Sequence, residues 1–293
     1  MEFEEFAQKI ARAVEQKSGG SARIHEVLKT NGVKRKGLMM TGRGTYISPV
    51  LYLEKYYEDF CAGKDFDRAV ADIMEECRYG EKAEIDINDF LDWERARGRV
   101  LVKLVNYNAN RELLKAVPHR RFLDLAEVYY AVMDIGGGQG MGSILICNTH
   151  LEMWGIREEK LTETAYANYR RHLPVEIKSM SQIAAELTGS SLPGECIPDM
   201  QEMYVVTNSW KQNGAAVMLF PEMLREAADR LAGDLYILPS SVHEIIVLSA
   251  NMGEEEGLKE IVEEVNRTQL APEEKLSDRV YRYYSADGRV EFA

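Results

Sequence analysis

Within "LPSSVHEIIVL", residues 238–248, stand two hydroxyls, an imidazole and a carboxylate: Ser240, Ser241, His243 and Glu244. These are the group types of acyl transfer, in which a serine attacks, a histidine takes its proton and a carboxylate orients the histidine. A histidine near its ordinary pKa of about 6.5 is also a ready general base at neutral pH. Two features of the string oppose that chemistry. It carries no G-x-S-x-G elbow to expose a nucleophile. In addition, alternation along a strand over 242–248 sends Val242, Glu244, Ile246 and Leu248 to one face and His243, Ile245 and Val247 to the other. Imidazole and carboxylate then diverge. Pro239 sets a bend just ahead, where serines commonly cap backbone groups. The corner reads as structural first. It is still the foremost candidate site, because polar side chains at the mouth of a buried strand destabilise unless they are satisfied or used.

A second group comprises Asn148 and His150 in "CNTHLEMWGI" and Asn208 and Trp210 in "VTNSW", all candidates for ligand contact. On a strand, His150 and Glu152 would share a face and suit a metal. Thr149-x-x-Glu152 reads instead as a capping box opening one helical turn, with Gly155 ending it. No metal site is expected. His25, His119 and His172 stand in no H-E-x-x-H or H-x-H pattern. The cysteines, Cys61, Cys77, Cys147 and Cys196, lie 16, 70 and 49 residues apart, which fits no zinc site and suits reduced thiols. "DIGGGQGMGS" (134–143) has no lysine after its last glycine, and an apolar strand rather than a helix follows it. It therefore offers no phosphate cradle and reads as a hairpin connection. No cofactor is expected.

The elements that must hold these groups follow from periodicity. Phe3, Phe6, Ile10 and Val14 mark a first helix, stopped at Gly19-Gly20. "ARIHEVLK" and "GLMMTG" are strands around an Asn31-Gly32 hairpin turn. Residues 51–95 are a helical segment. "RVLVKLVNY" is a strand buried on both faces, and "FLDLAEVYYAVM" pairs with "GSILICN". A helix over 157–171, the strand "PVEIKSM" and a helix capped by Ser179-x-x-Gln182 come next. The richest Gly/Pro/Ser stretch, 189–200, marks a linker between an N-terminal domain (1–188) and a C-terminal domain (201–293). In the latter, "EMYVVTN" and "GAAVMLF" read as strands. A helix with Pro221 at its first position, two strands, a helix and a closing hairpin at Asp287-Gly288 follow, giving ββαββαββ. The fold class is α+β, with mixed, mostly antiparallel sheets flanked by helices.

Net charge is −12. Such a chain repels nucleic acid unless a basic face is segregated, and the clusters Lys34–Lys36 and His119–Arg121 are short, so no nucleic-acid partner is expected. The acidic, amphipathic start lacks the features of a signal peptide, and no apolar run nears the ~18 residues of a membrane span. A cytoplasmic location is expected.

The strings "LYLEKYYEDFCAGKDF", "ICNTHLEMWGI", "MYVVTNSWKQNGAAVMLFPEMLREAADRLAGDLYILPSSVHEIIVL" and "VNRTQLAPEEKLSDRVYRY" resemble a bacterial domain-of-unknown-function family common in anaerobic gut bacteria. The resemblance runs over nearly the whole chain, implies no established activity and assigns no catalytic residue. Taken together, the sequence points to a non-enzymatic binding or regulatory protein that recognises a protein or small ligand. The alternative is a hydrolase or metal-dependent enzyme using Ser240, Ser241, His243 and Glu244 with His150.

Overall fold

The computed structural model describes residues 1–41, 50–82, 88–134, 141–188, 203–251 and 255–293. As expected, the chain is α+β, and its sheets are mostly antiparallel. It divides into two compact units, residues 1–96 with 131–144 and residues 97–130 with 145–293. The sequence pointed instead to a division at 189–200, a stretch outside the described residues. Strands from before and after that stretch pair side by side in one sheet, so both belong to the second unit.

In the first unit, helix α1 (Phe3–Ser18) buries Phe6, Ile10 and Val14 and ends at Gly19, whose φ of 69° is the usual left-handed stop. Strands β1 (Ser21–Leu28) and β2 (Lys34–Thr41) form the expected hairpin. Its turn residues Asn31 and Gly32 sit at φ 60° and 70°, as a tight antiparallel connection requires. Strand β3 (Val50–Tyr52) pairs with β2. Helices α2 (Glu54–Cys61), α3 (Phe66–Lys82), α4 (Asn88–Leu91) and α5 (Trp93–Ala96) follow. Tyr56, Val70, Ile73 and Cys77 join Phe6, Ile10 and Val14 in one core with Leu38 and Met40 of β2.

The second unit begins with β4 (Val100–Asn106), α6 (Arg111–Leu114), β5 (His119–Phe122) and the first part of β6 (Leu125–Asp134), whose residues 131–134 are counted with the first unit. "FLDLAEVYYAVM", expected as one strand, is broken by a two-residue turn at Leu123-Asp124, with Leu123 at φ 54°. Leucine is a poor turn residue, so the sequence hid this break. Strand β7 (Met141–Leu145), of which residues 141–144 are counted with the first unit, pairs with β6; the glycine loop between them at 135–140 lies outside the described residues. Helices α7 (Asn148–Trp154) and α8 (Glu158–His172) lead to β8 (Val175–Ser179) and α9 (Met180–Thr188). Asn168 of α8 pins the helix to the start of β4, donating to the carbonyls of Arg97 and Val100 at 2.7 and 2.8 Å.

Strand β9 (Tyr204–Asn208) is followed by α10 (Pro221–Arg230), β10 (Leu235–Leu238), β11 (Ile245–Ser249), α11 (Glu255–Thr268), β12 (Tyr281–Tyr284) and β13 (Arg289–Phe292). Together with β8 these strands make a sheet in the order β13-β12-β10-β11-β9-β8. "GAAVMLF", expected as a strand, is a 3-10 helix over Gly214–Leu219, so the C-terminal order is β, 3-10, α, β, β, α, 3-10, β, β. Every residue from Gly214 to Phe220 is buried. A short, fully apolar run carries no periodicity that separates strand from helix, which explains the misreading. Among the described residues no helix is long and apolar enough to cross a membrane.

Candidate functional site

The 238–244 corner is not the start of a strand. Ser241 forms an antiparallel bridge with Lys275, Val242 donates its amide to Glu274 O at 2.9 Å, and the carbonyl of Val242 accepts from Ala215 N at 3.2 Å. Leu276 N donates to Ser240 O and Ser277 N to Pro239 O, at 2.9 and 3.0 Å. Residues 239–243 are thus clamped between the 3-10 helix on one side and residues 274–277 on the other. The strand begins only at Ile245, so the expected alternation of His243 and Glu244 across a strand does not apply. Each side chain is aimed by its own contacts.

Those contacts engage the polar groups with backbone. Ser241 Oγ accepts from the amide of His243, two residues on, at 3.0 Å. Thr207 Oγ1 donates to His243 O at 2.7 Å, and Gly214 N donates to the same oxygen at 2.9 Å. The approach is so close that a Cβ on Gly214 would stand 2.1 Å from Thr207 Oγ1 and 2.3 Å from His243 O. The imidazole is hydrogen-bonded at one nitrogen. Nδ1 accepts from Asn213 N at 3.4 Å, and Nε2 lies 3.6 Å from Glu274 Oε1, an ion pair when the ring is protonated. The side chains of His243 and Glu274 keep 34% and 40% of their exposure, so this pair is the part of the corner that solvent reaches. Among the described residues no hydrogen bond links either serine hydroxyl to the ring.

Asn208 belongs to the same cluster, by position rather than by exposure. It is fully buried. Its Nδ2 donates to Tyr169 OH and Gln212 O at 3.1 and 2.9 Å, and its Oδ1 accepts from Trp210 N at 3.0 Å. Its amide group is therefore the keystone of the 208–213 turn, while the half-buried Trp210 and the exposed Lys211 face outward. Tyr169 stacks on Phe220 with ring centroids 4.7 Å apart, which ties the turn to α8.

Asn148 and His150 are held elsewhere. Asn148 donates its amide to Ala116 O and its Nδ2 to Lys115 O, at 2.9 and 3.3 Å. These bonds bring the chain into α7 two residues earlier than expected. The capping box closes between Cys147 and His150, not Thr149 and Glu152: the amide of Cys147 donates to His150 Nδ1 at 3.0 Å. Burial pushes the His150 pKa down, and it pushes the Cys147 thiol up. No hydrogen bond, ion pair or ring contact joins His150 to His243. Among the described residues no three His, Cys, Asp or Glu side chains gather as a metal site would need.

Sequence reasoning missed Thr207, Asn213 and Glu274. The Asn213-Gly214 pair was visible as a turn. Glu274 sits 31 positions past His243, after Pro272 opens a 3-10 turn, and no local pattern announces it.

The molecule is an α+β protein whose 239–243 corner is a backbone clamp carrying one half-exposed His–Glu pair. The chain belongs to the DUF5688 family, a family of unknown function, which it matches over residues 3–285. No curated protein and no solved structure matches it.

Proposed function

We propose that the protein is a cytoplasmic, non-enzymatic binding or regulatory protein. It recognises a protein or small ligand through His243 and Glu274, with Glu244 and Trp210 alongside. One observation carries this reading: among the described residues neither serine hydroxyl is hydrogen-bonded to the imidazole, and Ser241 Oγ instead serves the backbone amide of His243. A serine nucleophile needs its proton directed at a base within hydrogen-bond reach. The ring, in turn, is oriented by Asn213 N and Glu274, an arrangement that presents Nε2 and a carboxylate together at the surface. Such a pair can grip a ligand that offers both a donor and an acceptor.

The test compares the wild-type chain with Ser241→Ala and His243→Gln. Under this reading, chromogenic ester and phosphate substrates show no turnover above buffer, and a small-molecule thermal-shift screen yields stabilisers whose effect His243→Gln removes. Turnover in the wild type that both substitutions abolish would overturn it.

A further inference from the structure

The first unit carries a feature that the His243 corner does not explain. Residues 21–52 contain Arg23, Lys29, Lys34, Arg35, Lys36 and Arg43 against Glu26 alone, in a chain of net charge −12. The strands sort these charges by face. Ala22 and Ile24 of β1 lie opposite Met40 and Leu38 of β2, and this row packs into the core with α1. On the same side Lys34 pairs with Glu26 at 2.6 Å and Lys36 pairs with Glu4, so two of the lysines are neutralised there. Because side chains alternate, the other face holds Arg23, His25 and Val27 with Met39, Gly37 and Arg35, then Val50 and Tyr52 of β3. No strand residue on that face is acidic. Arg23 and His25 are exposed, and Lys29 rests its ammonium 3.9 Å from the centre of the Tyr52 ring.

β1 is also the edge of its sheet. An edge strand offers unpaired backbone groups to any extended chain that reaches it. A strand laid along β1 would meet Arg23 and His25 on one face. On the other it would meet Ala22, Ile24, Glu26 (already paired with Lys34) and Leu28, of which Leu28 is left 46% exposed. Edge protection alone would use charge without leaving an apolar side chain open in the same strand.

We propose that β1 takes up an extended acidic segment of a partner protein as an added strand. The segment's Asp or Glu residues stand beside Arg23 and His25, and its apolar residues stand beside Ile24 and Leu28. The alternation of β1 dictates the alternation of the ligand. A second copy of this chain is the poorer fit, because β1 paired with itself sets like charges side by side. Single-stranded nucleic acid fits less well too. Base stacking needs open aromatic faces, and the ring on this face is covered by Lys29.

The full chain is titrated with a fluorescent peptide of alternating Glu and Val, long enough to span β1, by fluorescence anisotropy at low salt. The comparisons are a block peptide of the same composition and oligothymidine of matching length. The alternating peptide is expected to bind about tenfold or more tightly than the block peptide, and to lose about tenfold on Arg23→Glu/His25→Glu, with added salt weakening it. Leu28→Glu, which leaves the basic row intact, should weaken binding as well. If circular dichroism shows that the double reversal disturbs the fold, Arg23→Ala takes its place and a smaller loss of the same sign is expected. Equal binding of the block peptide, equal or tighter binding of oligothymidine, or unchanged affinity in the folded variants would each overturn the proposal. His243→Gln should leave this binding unchanged, which separates its failure from that of the corner.

Discussion

His150 shows how one hydrogen bond sets a protonation state. Its Nδ1 accepts from the amide of Cys147, so the neutral ring carries its proton on Nε2. Burial disfavours the charged form and holds the pKa down, and protonation would also place an N–H against the Cys147 N–H. The folded pKa is therefore depressed, and the unfolded chain binds the proton more readily. Stability is full above the unfolded value of about 6.5 and falls as pH drops below it. Gln at the third helical position can still accept from the cap amide but does not titrate. We expect His150→Gln to lose less stability than wild type between pH 7 and 5.5 in urea unfolding; parallel losses would contradict the depressed pKa. Glu127 shows the reverse case: burial raises its pKa, and Tyr166 OH, donating at 2.8 Å, opposes that rise only in part.

At the scale of elements, the decisive contact is between the 3-10 helix and the corner. Gly214 is needed there because its neighbours leave no room for a Cβ. Two of those neighbours are the Thr207 hydroxyl and the His243 carbonyl, which bond each other, so neither can retreat without breaking the clamp. Gly214→Ala should cost at least about 2 kcal/mol, read as a lower urea midpoint, with the His243 surface disordered along with it. A midpoint within error of wild type would show that the clamp is looser than its distances indicate. The Ser179/Gln182 capping box, by contrast, was legible in sequence and is present as read: Ser179 N donates to Gln182 Oε1 at 2.9 Å and Gln182 N to Ser179 Oγ at 3.2 Å. The difference is one of range. A capping box is closed by residues three apart, whereas the clamp joins segments near 207, 214, 243 and 275.

For the molecule as a whole, charge is the property that composition settles. With net charge −12 at pH 7 and a pI near 5.1, copies repel one another at neutral pH and lose that repulsion on acidification. Light scattering at constant protein concentration should stay flat from pH 8 to 6.5 and rise as pH approaches 5.1. A flat profile through that point would show that a localised patch, not net charge, governs association. The basic strand face of the first unit is such a patch. It was invisible as a cluster in the linear sequence, where Lys34–Lys36 looks like one short run. Pleating sends Arg35 to one side and its two neighbours to the other, and brings Arg23 and His25 across to join Arg35.

The sequence by itself determined the α+β class, most helices and strands, the Asn31-Gly32 hairpin and the second capping box, because each rests on composition or on residues within a turn or two of one another; the family came from its resemblance over long strings. It also singled out the Ser240–Glu244 corner as the foremost candidate site. Only the tertiary structure decided what that corner is. Whether a hydroxyl donates to an imidazole or accepts from an amide depends on where residues 207, 213, 214 and 274 arrive, and long-range closure of the chain carries no local signature. The same holds for the fully buried 214–220 run, whose uniform apolarity fits strand and helix alike until its neighbours choose.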